Sequence, residues 1–204
     1  MEKKEDRRIE RTKDQLRQTL KTLVVKNGYT NVRVKDIVET ANYNRTTFYV
    51  HYDGKDELAA EIIALEMKDF LYEFCKPVRD NPILDLRKMD ASGTDVFHYI
   101  KKNRSFYDLL VLENTLPNIN QTLLTELQGI FQNRMYFLGD QATEINAQYF
   151  IHYRSYGIYG FILEWIRSSY DAKPTEMARR IINLLHYHSP LMSKNIKDDE
   201  SPLQ

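Results

Sequence analysis

Residues 34–58, VKDIVETANYNRTTFYVHYDGKDEL, are the part of this sequence with the fewest ways to fold. Val34, Ile37, Val38 and Ala41 recur at helical spacing over about 34–41 and then stop at Asn42-Tyr43. Asn44 follows, and its side-chain oxygen can accept an early helical N–H, so a second helix is predicted over 45–51. Two short helices joined by so tight a turn form a helix-turn-helix. In the second, Phe48 and Tyr52 are expected to point inward. That leaves Arg45, Thr46, Thr47, Tyr49 and Val50 outward, on a surface suited to contact. Asp53-Gly54 then opens a longer helix over about 55–75, with Leu58, Ile62, Leu65 and Phe70 as its inward stripe and Phe74 one turn later.

The flanks extend the same pattern. Residues 7–27 read as an amphipathic helix whose apolar face holds Ile9, Leu16, Leu20, Leu23 and Val24. Asn27-Gly28 closes it, with glycine suited to a left-handed cap. Pro77 and Pro82 bracket a boundary, and beyond residue 93 helices are predicted at 94–102, 104–113, 118–139, 145–170 and 174–188. The 145–170 segment is apolar around much of its circumference, so it must be covered on more than one side. Pro174 suits the first turn of the last helix, and Glu176 complements the dipole there. Only seven glycines and six prolines interrupt 204 residues, which favours long helices over many short strands. The expected fold class is all-α, with about nine helices. The expected units are a helix-turn-helix domain at 1–54, a connecting helix at 55–76, a helical-bundle domain at 77–192 and a frayed tail at 193–204.

Composition narrows the setting. A hydrophobic content of 42% with 28% charged residues describes a globular chain with a real core, not a disordered one. No apolar run reaches the ~18 residues of a membrane span. The N-terminus has no apolar secretory core. Cys75 is the single cysteine, so a reducing compartment is expected, and the cytoplasm is the natural location. Net charge is zero, but residues 1–57 carry 13 Lys/Arg against 10 Asp/Glu, and the remainder 16 against 19. The N-terminal part therefore has the sign expected of a surface that meets phosphate. His186 and His188 point to different faces of a helix and make a poor metal clip. No convergent acid–base or metal cluster is visible, so neither an enzyme nor a metal or other cofactor is expected.

Residues 9–58 resemble the DNA-binding domain of the TetR family of bacterial transcriptional regulators. Val34, Asp36, Ile37, Ala41, Thr47, Tyr49, His51, Tyr52, Lys55, Glu57 and Leu58 carry the match. YIKKNRSFYDLL and GIYGFILEWI are similar to C-terminal domains of the family's dihydroxyacetone-kinase operon activators. The resemblance implies a regulator, more often a repressor, that binds a palindromic double-stranded operator as a homodimer and answers to a small molecule. The alternative is a coactivator whose C-terminal domain binds a protein partner. Some positions depart from the pattern. Arg33 stands where a capping threonine is usual, so either Asn31 caps from nearby or the helix starts uncapped, with Arg33 reaching phosphate. Asn42 replaces the turn glycine, Thr46 a small residue of the recognition helix, and Gly54 a capping serine.

The chemistry of the outward residues agrees with that reading. Arg45 can donate twice to a guanine edge, and Thr46 and Thr47 can bond a base or touch a thymine methyl. Tyr49, His51 and Lys55 suit phosphate, with capping or bracing the turn nearly as good a role for His51. A lone arginine is more often just solvated; it is the whole constellation of Arg45, Thr46, Thr47, Tyr49, His51 and Lys55, with Arg33 and Asn44 beside it, that favours DNA. Phe106, Tyr107, Met135 and Tyr153 are the expected ligand wall, although each aromatic taken singly is more often core. The last two helices resemble the family's dimerisation pair, which makes Ile158, Phe161, Ile162, Trp165, Ile181 and Leu185 the expected dimer face, with intrachain packing as the bland alternative. Gly157 and Gly160 would let a neighbouring helix come close.

Overall fold

The computed structural model describes residues 2–77, 95–133 and 146–186. All regular structure among these residues is helical: α1 (Glu2–Asn27), α2 (Val34–Thr40), α3 (Arg45–Tyr49), α4 (Lys55–Phe74), α5 (Val96–Lys102), α6 (Arg104–Tyr107), α7 (Ile119–Asn133), α8 (Ala147–Arg167) and α9 (Pro174–His186). Short 3-10 turns at Tyr29–Asn31 and Asp108–Val111 complete the set. The predicted helix at 104–113 is thus a four-residue α6 followed by a 3-10 turn. Met135, the 77–94 boundary apart from Pro77, and the tail lie outside the described residues.

The N-terminal unit is built on Leu16, Leu20 and Val24 of α1, Ile37 and Val38 of α2, Phe48 of α3, Tyr52, and Leu58 and Ile62 of α4, all buried together. Ile9 is 41% exposed, in a stretch of α1 whose residues 6–11 all lie open ahead of the buried Thr12. Leu65 is also exposed. The buried arc of α4 centres on Ala59, Ile63, Met67 and Phe70, and Leu65 falls beyond its edge. The same apolar cluster runs on without a break through Phe106, Tyr107 and Leu127 to Ile158, Ile162 and Trp165. In the C-terminal part α7 packs most closely against α8, α4 against α7, and α9 against α5.

Polar ties fasten α1 to α4. Glu61 of α4 receives Lys13 at 2.9 Å and Arg17 at 2.8 Å, and the buried Arg17 also reaches Glu10 and Asp14 on its own helix. Burial works against the Glu61 charge, but Lys13, Tyr52 and Arg17 outweigh it and hold the carboxylate below its ordinary range. Glu66 is the opposite case. Burial pushes it up, despite the Tyr99 hydroxyl that donates to it at 2.8 Å and the nearby Lys21.

A folded-state carboxyl raised above the ordinary 4.5 costs stability once both states are ionised, and that cost disappears below 4.5. Glu66→Gln keeps an acceptor for Tyr99 and removes the charge. It is expected to raise the melting temperature at pH 7, with the gain shrinking to nothing as pH falls below 4.5. Melting curves from pH 4 to pH 8 check this; a gain that persists undiminished at pH 4 would contradict it.

Candidate nucleic-acid interface

The helix-turn-helix is fixed by local hydrogen bonds. Arg33 precedes α2, and its backbone N–H donates to the Asp36 carboxylate at 2.8 Å. No side chain accepts from the first N–H groups of α2, so of the two alternatives the uncapped start holds and Asn31 plays no part. Asp36, three residues in, reaches back as the acidic half of a capping box does, while the Asn31 amide donates to the Asn27 carbonyl. Asn42 takes the left-handed conformation with φ 58°, the role anticipated for it as the glycine substitute. The Tyr43 N–H then closes the turn on the Val38 carbonyl at 2.8 Å.

Asn44 caps α3, accepting from the Thr47 N–H at 2.7 Å and the Thr47 hydroxyl at 2.9 Å. Phe48 is fully buried, its ring 5.5 Å from Tyr49 and 5.6 Å from Tyr52. A buried anchor at 48 and a cap at 44 leave the rest of this short helix little choice of orientation. Arg45 and Thr46 face solvent, Tyr49 is 55% exposed and Val50 72% exposed. Tyr49 and Val50 thus add aromatic and apolar surface beside the polar Arg45 and Thr46.

The other anticipated contacts sit differently. Thr47 is half-buried with its hydroxyl engaged on Asn44, so its methyl is the part left to offer. His51 is half-buried with its ring edge-on to Tyr52, the bracing position. Lys55 turns inward. Its ammonium donates to the carbonyls of Tyr29 and Val32, each at 2.8 Å, and lies 4.2 Å from the centre of the Tyr29 ring. Its hydrogen bonds thus go to the turn after α1. The Tyr29 hydroxyl donates to Asp56, and burial together with that carboxylate pushes the phenol well above its ordinary range. Proximity of 55 to 29 and 32 is a tertiary fact that linear spacing does not reveal.

In the C-terminal part, Phe106 and Tyr107 are sealed in the core, whereas Tyr153 is 74% exposed. These three do not form one wall. An open groove of about 700 Å³ runs instead between α4 and α7, lined among others by Ile63, Met67, Tyr72, Pro117 and Thr122. Of the anticipated dimer face, Ile158, Ile162 and Trp165 are buried within the chain, and Phe161 and Ile181 are half-buried. Nothing is described of the Leu185 side chain. The outward row on α8 is Tyr149, Tyr153, Tyr156 and Gly160, spaced four, three and four residues, with Gly157 beside it. Both glycines stand open: a side-chain carbon added at either would meet nothing within 4 Å. The residues chosen for that face on α8 thus lie mainly on the side of the helix that packs within the chain.

A helix-turn-helix with an exposed, capped second helix, joined to a helical bundle, is the architecture of a transcription factor that carries its own DNA-reading head. The chain belongs to the TetR family of transcriptional regulators. Residues 18–62 match the profile of "Bacterial regulatory proteins, tetR family", and residues 90–187 match the TetR-type "Transcriptional regulator C-terminal region". An uncharacterized HTH-type transcriptional regulator of Bacillus subtilis, YxbF, is 26% identical over 187 residues. That match covers 90% of this chain and 47% of YxbF, so the chain spans about half the length of this curated relative. Among solved structures, a TetR regulator from Streptococcus agalactiae aligns with a TM-score of 0.58 at 17% identity, over 91% of this chain and 99% of that one. The dihydroxyacetone kinase operon activator DhaS aligns at 0.55 and 21%, over 86% and 94%. FadR from Bacillus subtilis, in complex with stearoyl-CoA, aligns at 0.59 and 15%, over 84% and 96%. These likenesses show the shared fold. Among the described residues no helix is long and apolar enough to cross a membrane.

Proposed function

We propose that the chain represses transcription by reading a palindromic operator as a homodimer, with a small-molecule effector controlling release. The observation that carries the reading is α3: Asn44 caps it, Phe48 anchors it, and Arg45, Thr46, Tyr49 and Val50 stand outward together. Arg45 is placed to read a guanine edge, Thr46 and the Thr47 methyl to touch a thymine, and Tyr49 to donate to phosphate. Arg33, exposed at the start of α2, adds a flanking phosphate contact. Lys55 and His51 support this surface from behind. Unit boundaries near residues 54 and 76 suit this division of labour.

The second copy would sit on the exposed row of α8, where Gly157 and Gly160 permit close approach and the tyrosines supply area with few rotamers to fix. Two copies related by a two-fold axis would set their α3 helices about one DNA turn apart, roughly 34 Å. The effector is placed in the α4–α7 groove, against the helix that continues from the head. Binding there moves the head only if the two head positions differ in effector affinity.

The test is Arg45→Ala. Selected operator fragments should bind the wild type at least ten-fold better than scrambled DNA, and Arg45→Ala should lose roughly 5- to 150-fold of that selectivity. Its phosphate-driven binding and its dimer should remain. Selectivity equal to the wild type would remove α3 from the reading role.

One observation favours the coactivator alternative. Phe70, Phe74, Phe106, Tyr107 and Phe131 are joined by ring contacts inside the bundle, while Tyr149, Tyr153 and Tyr156 stand exposed on α8. A protein that docks on the α8 row and is needed for operator occupancy would establish that version.

A further inference from the structure

Gly28 leaves α1 with φ 76°, and the next two residues run directly against the loop that precedes α7. Asn114 of that loop receives them. Its backbone carbonyl accepts from the Tyr29 N–H at 3.0 Å and its side-chain carbonyl from the Thr30 N–H at 3.0 Å. Its amide donates to the Thr30 hydroxyl at 2.8 Å. A side-chain carbon on Gly28 would fall 2.4 Å from the Asn114 Nδ2, so this approach requires glycine on sterics as well as on φ. The same turn is held from its other side by Lys55 and, through the Tyr29 hydroxyl, by Asp56, the first two residues of α4. Three residues beyond Asn114, Pro117 begins the stretch that lines the α4–α7 groove, with Asn118 (φ 61°) and Thr122.

We propose that Asn114 is the coupling residue between this groove and the helix-turn-helix. The loop 112–118 touches the groove at one end and the head at the other. The turn it grips at Tyr29 and Thr30 leads straight into α2, and Lys55 binds that turn to the root of α4. A displacement of Pro117 or Asn118 is therefore delivered to two places, the entry to α2 and the first turn of α4. The head contact uses both the main chain and the side chain of one residue, so the side-chain half can be removed by substitution while the carbonyl bond to Tyr29 stays. This assignment deepens the proposed role of the groove and rests on that reading for its biological meaning, though not for its geometry.

The experiment is residue-resolved amide exchange on the full-length Asn114→Ala and Asn114→Asp variants, with operator titrations alongside. In Asn114→Ala the Thr30 amide loses its acceptor, and its exchange should quicken about five-fold or more, the factor for one ordinary hydrogen bond. The amides of α2 and of residues 58–60 should follow, while those of α8 around Ile158 and Ile162 stay as slow as in the wild type. Asn114→Asp keeps an acceptor for Thr30 and should recover much of that protection. Gly28→Ala should mimic Asn114→Ala, and combining the two should add much less than the sum, because the first already expels the Asn114 side chain. Operator affinity should shift by about three-fold or more in Asn114→Ala.

Exchange unchanged at Thr30 and α2, or quickened uniformly across α8 as well, would overturn the coupling role. Additive effects of Gly28→Ala and Asn114→Ala would do the same. If the wild type bound no DNA fragment selectively, the operator reading would fall, and the exchange pattern would still decide the link between the loop and the head.

Discussion

Phe48→Ala is expected to melt the helix-turn-helix and abolish operator binding. The ring is fully buried and packs against the rings of Tyr49 and Tyr52. Its removal should cost about 3–5 kcal/mol, against a total stability on the order of 5–15 kcal/mol for a domain. Little else fastens α3. The helix has five residues, far below the length at which a helix persists alone, and Phe48 is its one fully buried side chain. The Asn44 cap contributes about 1 kcal/mol and cannot replace the anchor. Denaturant unfolding with amide exchange distinguishes the local from the global effect. Protection should vanish in α2 and α3 first, with α8 retaining more of its own. A variant that melts like the wild type and keeps α3 protected would show that the anchor is misassigned.

Trp165→Ala is expected to be comparably severe, and for a reason that separates core from interface. The side chain is 2% exposed within a single chain, edge-on to Phe97 at 5.6 Å and Tyr170 at 5.0 Å. Its indole N–H donates to the Ala172 carbonyl at 3.1 Å, which fixes the turn between α8 and α9. Truncation should remove about 3–5 kcal/mol of packing, and the orphaned carbonyl adds about 1–3 kcal/mol if water does not replace the indole. The variant should lose helical signal at much lower temperature or denaturant. Tyr153→Ala, on the exposed side of the same helix, should melt near the wild type while weakening self-association in sedimentation experiments. The opposite pattern, folded Trp165→Ala monomers and unaffected Tyr153→Ala dimers, would return the dimer face to the Ile158, Ile162 and Trp165 side of α8.

The contrast between those two residues shows what kinds of information the sequence held. Local chemistry was legible. The Asn44 cap, the left-handed Asn42, the inward Phe48 and Tyr52, and Pro174 at the start of α9 all follow from short-range sterics and hydrogen bonding. The all-helical class followed from periodicity over long windows. Choices among faces were not legible on α8, because a helix apolar around most of its girth gives no moment to say which side meets its own chain. Nor was Lys55 readable, since its partners lie 23 and 26 residues away. Asn114 was silent for the same reason: one asparagine in a loop looks like any other until Thr30, 84 residues earlier, is set beside it.

The ties that join α1, the turn at Tyr29 and the root of α4 have a mechanical meaning. Glu61 grips Lys13 and Arg17, and Lys55 grips Tyr29 and Val32, so the first half of α4 is tied to the head at two levels. Twenty residues of α-helix make an arm about 30 Å long. Turned through about 5°, an arm of that length sweeps its tip nearly 3 Å, about half the pitch of an α-helix. In a two-fold assembly the sweep occurs twice, in opposed senses, so the gap between reading helices changes by up to about twice as much. In the proposed two-fold assembly, slight angular play at the Phe74 end would thereby be geared up to a mismatch with DNA of fixed helical repeat.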